Sequence, residues 1–305
     1  MKTVFIHIGM HKTGTTSLQL FMSRASKELA KQHILYPRSG RSESFRKIND
    51  GHHNLAFFLR KKRDVILDKE WVELAIEIEN WNGDRAVISS EEFHPLKEVG
   101  IAQIKKYLTD CDLHAIVYVR NPLSYARSAY KQRMKMGTYA GGFGTFIRDH
   151  VEHLDYGALL RRWEEGLGAG RVLLRIFDKA MKNPGLEKDF CEVIGADFEP
   201  LRSFVDRPAN VSPSDRVIAT MRRINRLTWW MSEGRRRRGW PSRLRAAVRR
   251  ETRKGTLVRS VLSLGVSNSL VKPEDIDHLR DVIGERHEAF LERYVAPEDR
   301  DFLRF

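Results

Sequence analysis

"KTVFIHIGMHKTGTTSLQLF", residues 2–21, sets an apolar, β-branched run (Thr3 to Ile8) directly before a glycine-containing loop and an amphipathic stretch directly after it. A run of that length and composition reads as a buried strand. Beyond the loop, Leu18, Phe21, Met22, Ala25 and Leu29 recur at helical spacing and predict a helix from Thr16 to Lys31. Strand, glycine loop and helix in succession form a phosphate-binding arrangement. Glycines let the backbone wrap tightly, so that successive N–H groups face an anion at the positive end of the helix. One feature departs from the nucleotide-triphosphate pattern G-x-x-x-x-G-K-[ST]. Gly9 and Gly14 keep its spacing, but Thr15 stands where the lysine belongs and Lys12 precedes Gly14.

The same alternation continues downstream. His53 to Leu59 and Trp71 to Trp81 read as helices, and Ala86 to Ile88 as a second buried strand ending at Ser89-Ser90-Glu91-Glu92. Ile101 to Leu108 is helical, and Ala115 to Val119 is a third strand ending at Arg120. Asn121-Pro122 opens a helix, with asparagine as N-cap and proline at the first helical position. Phe143 to Leu154 and Tyr156 to Glu165 follow as helices, and Val172 to Phe177 as a fourth strand. The serine- and arginine-rich stretch from Tyr36 to Gly51 reads as a loop. These elements predict an α/β, P-loop-type three-layer fold: a central parallel sheet flanked by helices, plus a helical basic C-terminal extension. The expected division is a core over 1–208 and an extension over 209–305 packed on it, a single domain overall. Pro273 to about Tyr294 forms the last amphipathic helix of that extension.

The 305 residues carry 41% apolar and 31% charged side chains, which excludes a disordered chain. The net charge of +14 calls for an anionic partner: a phosphorylated cofactor, an acidic polymer, nucleic acid or a membrane surface. Cys111 and Cys191 match no metal-ligand spacing and read as buried thiols in a reducing compartment, with an isolated disulfide as the alternative, and no metal is assigned. No apolar stretch reaches the roughly 18 residues a membrane span needs, and no secretory signal opens the chain, so a cytoplasmic location is expected.

The displaced cation argues against an ATPase or kinase, which needs the lysine after the second glycine and an aspartate on a neighbouring strand to hold Mg²⁺. The second strand ends without an aspartate. Lys12, projecting from inside the loop, is instead placed to reach a transferred group and its leaving oxygen. Thr13, Thr15, Thr16 and Ser17 add hydroxyl donors, and His11 could bond the transferred group. A sulfuryl group carries less charge than a phosphoryl group, so a lysine and N–H donors could suffice without a metal. Arg120, at the carboxyl end of a buried strand, lies where ligands of open α/β sheets bind. Ser124 and Ser128 share one face of the helix that follows.

"HKTGTTSLQ" (11–19) together with "IVYVRNPLSYARSAY" (116–130) resembles the sulfotransferases that use 3′-phosphoadenosine 5′-phosphosulfate (PAPS), and is most similar to bacterial members related to the carbohydrate sulfotransferases. The resemblance covers roughly residues 1–200. It implies that Lys12, Gly14, Thr15, Thr16 and Ser17 grip the 5′-phosphosulfate and that Arg120 and Ser128 hold the 3′-phosphate. It also implies a glutamate base near the acceptor, for which Glu91 is favoured; Glu92, His94, His52 and His53 remain alternatives or acceptor contacts. "RPANVSPSD" (207–215) resembles a downstream asparagine–serine segment, which makes Asn210 and Ser212 candidate nucleotide donors.

The arginine-dominated tract with Trp229, Trp230 and Trp240, over 229–254, reads as a solvated face, an acidic-saccharide dock or a peripheral contact with the inner face of a membrane. The expected acceptor is a hydroxyl of a glycan or glycolipid. The rival readings are a P-loop kinase using ATP–Mg²⁺ and a non-catalytic basic protein binding membrane or nucleic acid; the second would not need the paired phosphate elements, and no nucleic-acid reader motif appears.

Overall fold

The structure is a computed structural model, and it describes residues 1–10, 12–41, 43–44, 47–48, 50–61, 65–206, 214–231 and 270–305. The chain runs β1 (Lys2–His7), α1 (Thr15–Arg24), α2 (Ser26–Lys31), β2 (Ile34–Leu35), β3 (Glu43–Ser44), β4 (Lys47–Ile48), α3 (His53–Lys61) and α4 (Val65–Glu79). It continues through β5 (Arg85–Ser89), α5 (Glu98–Tyr107), β6 (Cys111–Val119), α6 (Pro122–Met136), α7 (Phe143–Asp149), α8 (Tyr156–Leu167) and β7 (Val172–Ile176). The helices α9 (Phe177–Lys182), α10 (Leu186–Ile194), α11 (Asp215–Met231) and α12 (Pro273–Tyr294) complete the described elements.

The central sheet is parallel throughout, in the order β2-β5-β1-β6-β7. β1 sits in the middle, and the chain passes from β5 to β6 on its other side. The loop after β1 therefore leaves the sheet at the switch point where ligands of such folds bind. Strands buried on both faces explain the unbroken apolar runs that announced them. On one face Phe5, Val87, Ile116 and Tyr118 pack with Leu18, Phe21 and Met22 of α1 and Phe190, Cys191 and Ile194 of α10. The pleat turns the intervening residues Val4, Ile6, Ala115 and Val117 to the other face, and all four are buried. Trp71 and Trp163 are likewise fully buried, each contributing on the order of 2–3 kcal/mol by removing apolar surface from water. The fold is the three-layer α/β arrangement expected.

Differences lie at element ends and in short pieces. The helix expected over Thr16 to Lys31 is two, separated at Ala25. The stretch from Tyr36 to Gly51, read as loop, holds the antiparallel ribbon of β3 and β4. The helix expected over Phe143 to Leu154 ends at Asp149 and resumes as a 3₁₀ turn, Val151–Leu154. Phe177 begins α9 rather than ending β7. The edge strand β2 and the helix α9, two and six residues long, carry too little periodicity to be anticipated, whereas α10 was passed over although Leu186, Phe190, Cys191 and Ile194 recur at helical spacing.

Two compact units can be drawn. The first comprises Met1–Arg120, Tyr156–Arg207 and Ala289–Leu303, and holds the sheet. The second comprises Asn121–Asp155, Pro208–Glu288 and Arg304–Phe305. Within the second, Tyr130 meets Tyr139, Phe143 and Phe146 edge-on, with ring centroids 5.4 to 6.1 Å apart. Asn225 of α11 donates to the carbonyls of Met134 and Tyr139 at 3.2 and 2.9 Å. Burial alone would raise the pKa of Asp215, but hydrogen bonds from Arg127 and Lys131 bring it down to about 2. Most of the arginine-rich tract, 232–254, lies outside the described residues, as does Trp240. Cys111 and Cys191 are free thiols, Cys191 buried as expected and Cys111 only half-buried. Among the described residues no helix is long and apolar enough to cross a membrane, and no cluster of three or more metal-ligating side chains is present.

Candidate functional site

The loop after β1 is shaped by its own backbone. Lys12 has φ +69° and Gly14 φ +75°, both left-handed. Glycine is required at 14 for a second reason: a Cβ there would overlap Leu186 and come within 3.2 Å of Phe177. Gly14 also caps α1 and has no side chain to satisfy the N–H groups of the first turn, which leaves them for an anion. The hydroxyls expected as anion donors do different work. Thr13 Oγ1 donates to the Met10 carbonyl at 2.7 Å, and Thr15 Oγ1 to the same carbonyl at 3.2 Å, so both brace the loop. Thr15, in the position of a Walker lysine, is buried against Gly9, where a Cβ would lie 2.6 Å from its hydroxyl. Ser17 donates to Glu187 Oε1 at 2.7 Å, and Thr16 is exposed.

Arg120 comes to the loop from the end of β6. Its Nη1 donates to the Lys12 carbonyl at 3.1 Å, and its guanidinium carbon lies 5.1 Å from the centre of the Phe177 ring. Tyr156 fixes the residue from behind by donating to its carbonyl at 2.7 Å. Asp178 Oδ1 stands 3.6 Å from Arg120 Nε, beyond hydrogen-bond reach, and that buried Nε–H has no hydrogen-bond partner among the described residues. Asp178 thus forms a long ion pair with this guanidinium, and an anion bound here would share the arginine with a carboxylate. Ser128 lies on α6, in the second unit, and Asn121 caps that helix by accepting from the Ser124 N–H at 3.1 Å.

The third group gathers where β5 ends. Glu91, in a short 3₁₀ turn, accepts from Gln19 Nε2 at 3.1 Å and faces His53 Nδ1 at 3.8 Å. His53 is hydrogen-bonded to Ser90 Oγ at 2.8 Å. The two adjacent histidines divide as helical geometry predicts. His53 faces the glutamate, whereas His52 is fully buried with both ring nitrogens engaged: Nδ1 accepts from the Ser89 N–H, and Nε2 lies 3.1 Å from the Pro37 carbonyl. Burial, reinforced by Arg41, pushes its pKa down to about 3, so it is a neutral framework residue with no ring nitrogen for an acceptor. Glu92 pairs with Arg60. His94 is buried, and its carbonyl accepts from Arg162 at 3.1 Å. His7, at the end of β1, is also held neutral by burial, with a pKa of about 3, and bonds Ser89 Oγ at 2.8 Å.

The structure thus joins Lys12, Gly14, Thr15 and Arg120 at one point of the sheet edge, and Glu91 with His53 at another on the neighbouring strand. His11, Asn210 and Ser212 lie outside the described residues. Sequence reasoning passed over Gln19, Asp178 and Glu187. Only Gln19 left a signal: a polar residue inside the buried face that Leu18 and Met22 define on α1.

The sequence matches no family model and no curated protein. Among solved structures, the crystal structure of a sulfotransferase from Alicyclobacillus acidocaldarius is similar over 82% of this chain and 99% of that one, with 17% identity and a TM-score of 0.42.

Proposed function

We propose that the chain is a PAPS-dependent sulfotransferase acting on a hydroxyl acceptor, with a glycan or glycolipid as the expected class. The observation that carries this reading is the bond from Arg120 to the Lys12 carbonyl, which joins two sequence elements 108 residues apart. A loop with a displaced lysine is ambiguous alone, and so is an arginine at a strand end. Together they set an arginine beside the loop, which supports a site for a cofactor that carries more than one anionic group. The residues fit it: open N–H groups at the start of α1, the Lys12 charge, and the unsatisfied Arg120 Nε–H. Ser128 is assigned to the 3′-phosphate by resemblance.

When bound, the cofactor supplies the sulfuryl group. The loop holds the leaving phosphate, and Lys12 opposes the charge that grows on it; one such donor is worth about 10²–10³ in rate. Glu91 takes the proton of the acceptor hydroxyl. With the cofactor bound, its sulfuryl group would be supplied to the acceptor oxygen, and the desulfated product, PAP, would carry away the electron pair of the broken bond to the 5′-phosphate oxygen. His53 lies beside the carboxylate and would line the acceptor side.

The test compares binding of PAP, ATP–Mg²⁺ and duplex DNA by calorimetry, using the wild type, Lys12→Ala and Arg120→Ala. The expected result is tight PAP binding, weakened roughly tenfold to a hundredfold in both variants, as loss of a charge-assisted bond implies. Preference for ATP–Mg²⁺ would turn the reading to a kinase, and preference for DNA to a basic binding protein. A screen of labelled sulfate transfer from PAPS onto glycans, lipids and small alcohols would then identify the acceptor.

A further inference from the structure

Gln19 is an anomaly on α1. Its neighbours Leu18, Phe21 and Met22 bury apolar side chains against the sheet, and Gln19 buries a carboxamide beside them, with 4% of its surface exposed. The carboxamide is enclosed. Its Nε2 donates to Glu91 Oε2 at 3.1 Å and lies 3.5 Å from the Ser89 carbonyl, which also accepts from the His52 N–H at 2.8 Å. Gly51 closes the remaining side, where a Cβ would come within 2.7 Å of the carboxamide carbon and nitrogen. The contact with Glu91 is therefore set by the surroundings rather than by a free rotor. Glu91 Oε2 also faces His53, whereas Oε1 makes no hydrogen bond among the described residues.

We propose that Gln19 is a positioning residue for Glu91, holding Oε2 so that Oε1 is presented to the acceptor hydroxyl as its proton acceptor. This rests on the sulfuryl-transfer reading above and adds a residue to it. Gln19 lies one helical turn after Thr15, so a single rigid helix carries both the anion cradle and the group that orients the base. Distance between the two reacting sides is then fixed by the helix, as in-line transfer demands.

The experiment uses Gln19→Met, which keeps the volume and removes the donor, and Gln19→Glu, which sets a like charge beside Glu91. PAP affinity is measured by calorimetry, and PAP release from PAPS, with water as the acceptor, is followed for each Gln19 variant in the wild-type and Glu91→Ala backgrounds. Gln19→Met is expected to hold PAP affinity within about twofold while lowering turnover about tenfold, and to lower it no further once Glu91 is Ala. Gln19→Glu should behave in the same way. Should Gln19→Met fail to fold, Gln19→Asn, too short to reach Glu91, carries the same test. Unchanged turnover, or an equal further loss in the Glu91→Ala background, overturns the proposal, and so does a loss of turnover matched by an equal loss of PAP affinity. A wild-type chain that does not bind PAP would overturn the sulfuryl-transfer reading, and this proposal with it. PAP binding with independent, additive losses overturns this proposal alone.

Discussion

β1 and β5 lie side by side and end at the same edge of the sheet, yet the segments that follow them are held in opposite ways. The loop after β1 is braced largely from within, with Arg120 on the Lys12 carbonyl as its contact from far along the chain. Its two threonines bond the carbonyl of Met10, and two left-handed residues, Lys12 and Gly14, turn the backbone. The segment after β5 is held by side chains from far along the chain: His7 on Ser89, Gln19 on Glu91, and His53 on Ser90, at separations of 82, 72 and 37 residues. A cradle of N–H groups needs only a backbone path, which local sequence can dictate. A carboxylate proposed as a base needs its orientation set by neighbours, and those come from the assembled core.

The comparison can be broken by perturbing each side alone. Glu91→Ala should lower sulfate transfer by about 10²–10⁴ and leave PAP affinity nearly unchanged, because it removes the base and spares the cradle. Retained transfer, measured by PAP release, would take Glu91 out of the mechanism. Gly14→Ala attacks the other side. A Cβ in a left-handed residue, overlapping Leu186, should cost on the order of 2–4 kcal/mol of stability, seen as a lower Tm, and weaken PAP binding. A variant as stable as the wild type, with unchanged PAP affinity, would show that the loop tolerates another path.

Acid supplies the mildest test. His7 and His52 are held down to about 3 by burial, against 6.5 for an ordinary histidine. Between those values the unfolded chain binds the proton and the folded chain refuses it, so stability falls as pH drops from about 6.5 toward 3. The expected slope is on the order of 1 kcal/mol per pH unit for each histidine. Thermal unfolding followed from pH 7 to pH 4 should show a shallower fall for His52→Asn than for the wild type. Equal slopes would mean that His52 does not support the end of β5 in its neutral form.

Much of the fold was legible because it is written in local patterns. Four of the five sheet strands announce themselves as apolar runs, and α6 begins where Asn121 and Pro122 say it should. The last amphipathic helix keeps its expected bounds, Pro273–Tyr294. The edge strand β2 was not legible, since its two residues are fixed by pairing with β5 and by no pattern of their own. At the site, types and spacings identified Lys12, Gly14, Arg120 and Glu91 as candidates. They did not show that the threonine hydroxyls turn inward or that Ser17 is engaged by Glu187. Nor could "HH" at 52–53 reveal which ring faces Glu91, because that depends on the angle at which α3 meets the end of β5.

By itself, then, the sequence determined the loop: glycine spacing, the early lysine and the helix behind it specify a tight turn into a helix start, the arrangement proposed as an anion cradle, through backbone conformation and N–H direction, which are local properties. Only the tertiary structure decided what surrounds it. Arg120 meets the Lys12 carbonyl because β6 lies beside β1, and Gln19 meets Glu91 because α1 packs across the end of β5. Such contacts depend on strand order and helix packing, and those are settled by burying the whole apolar core at once.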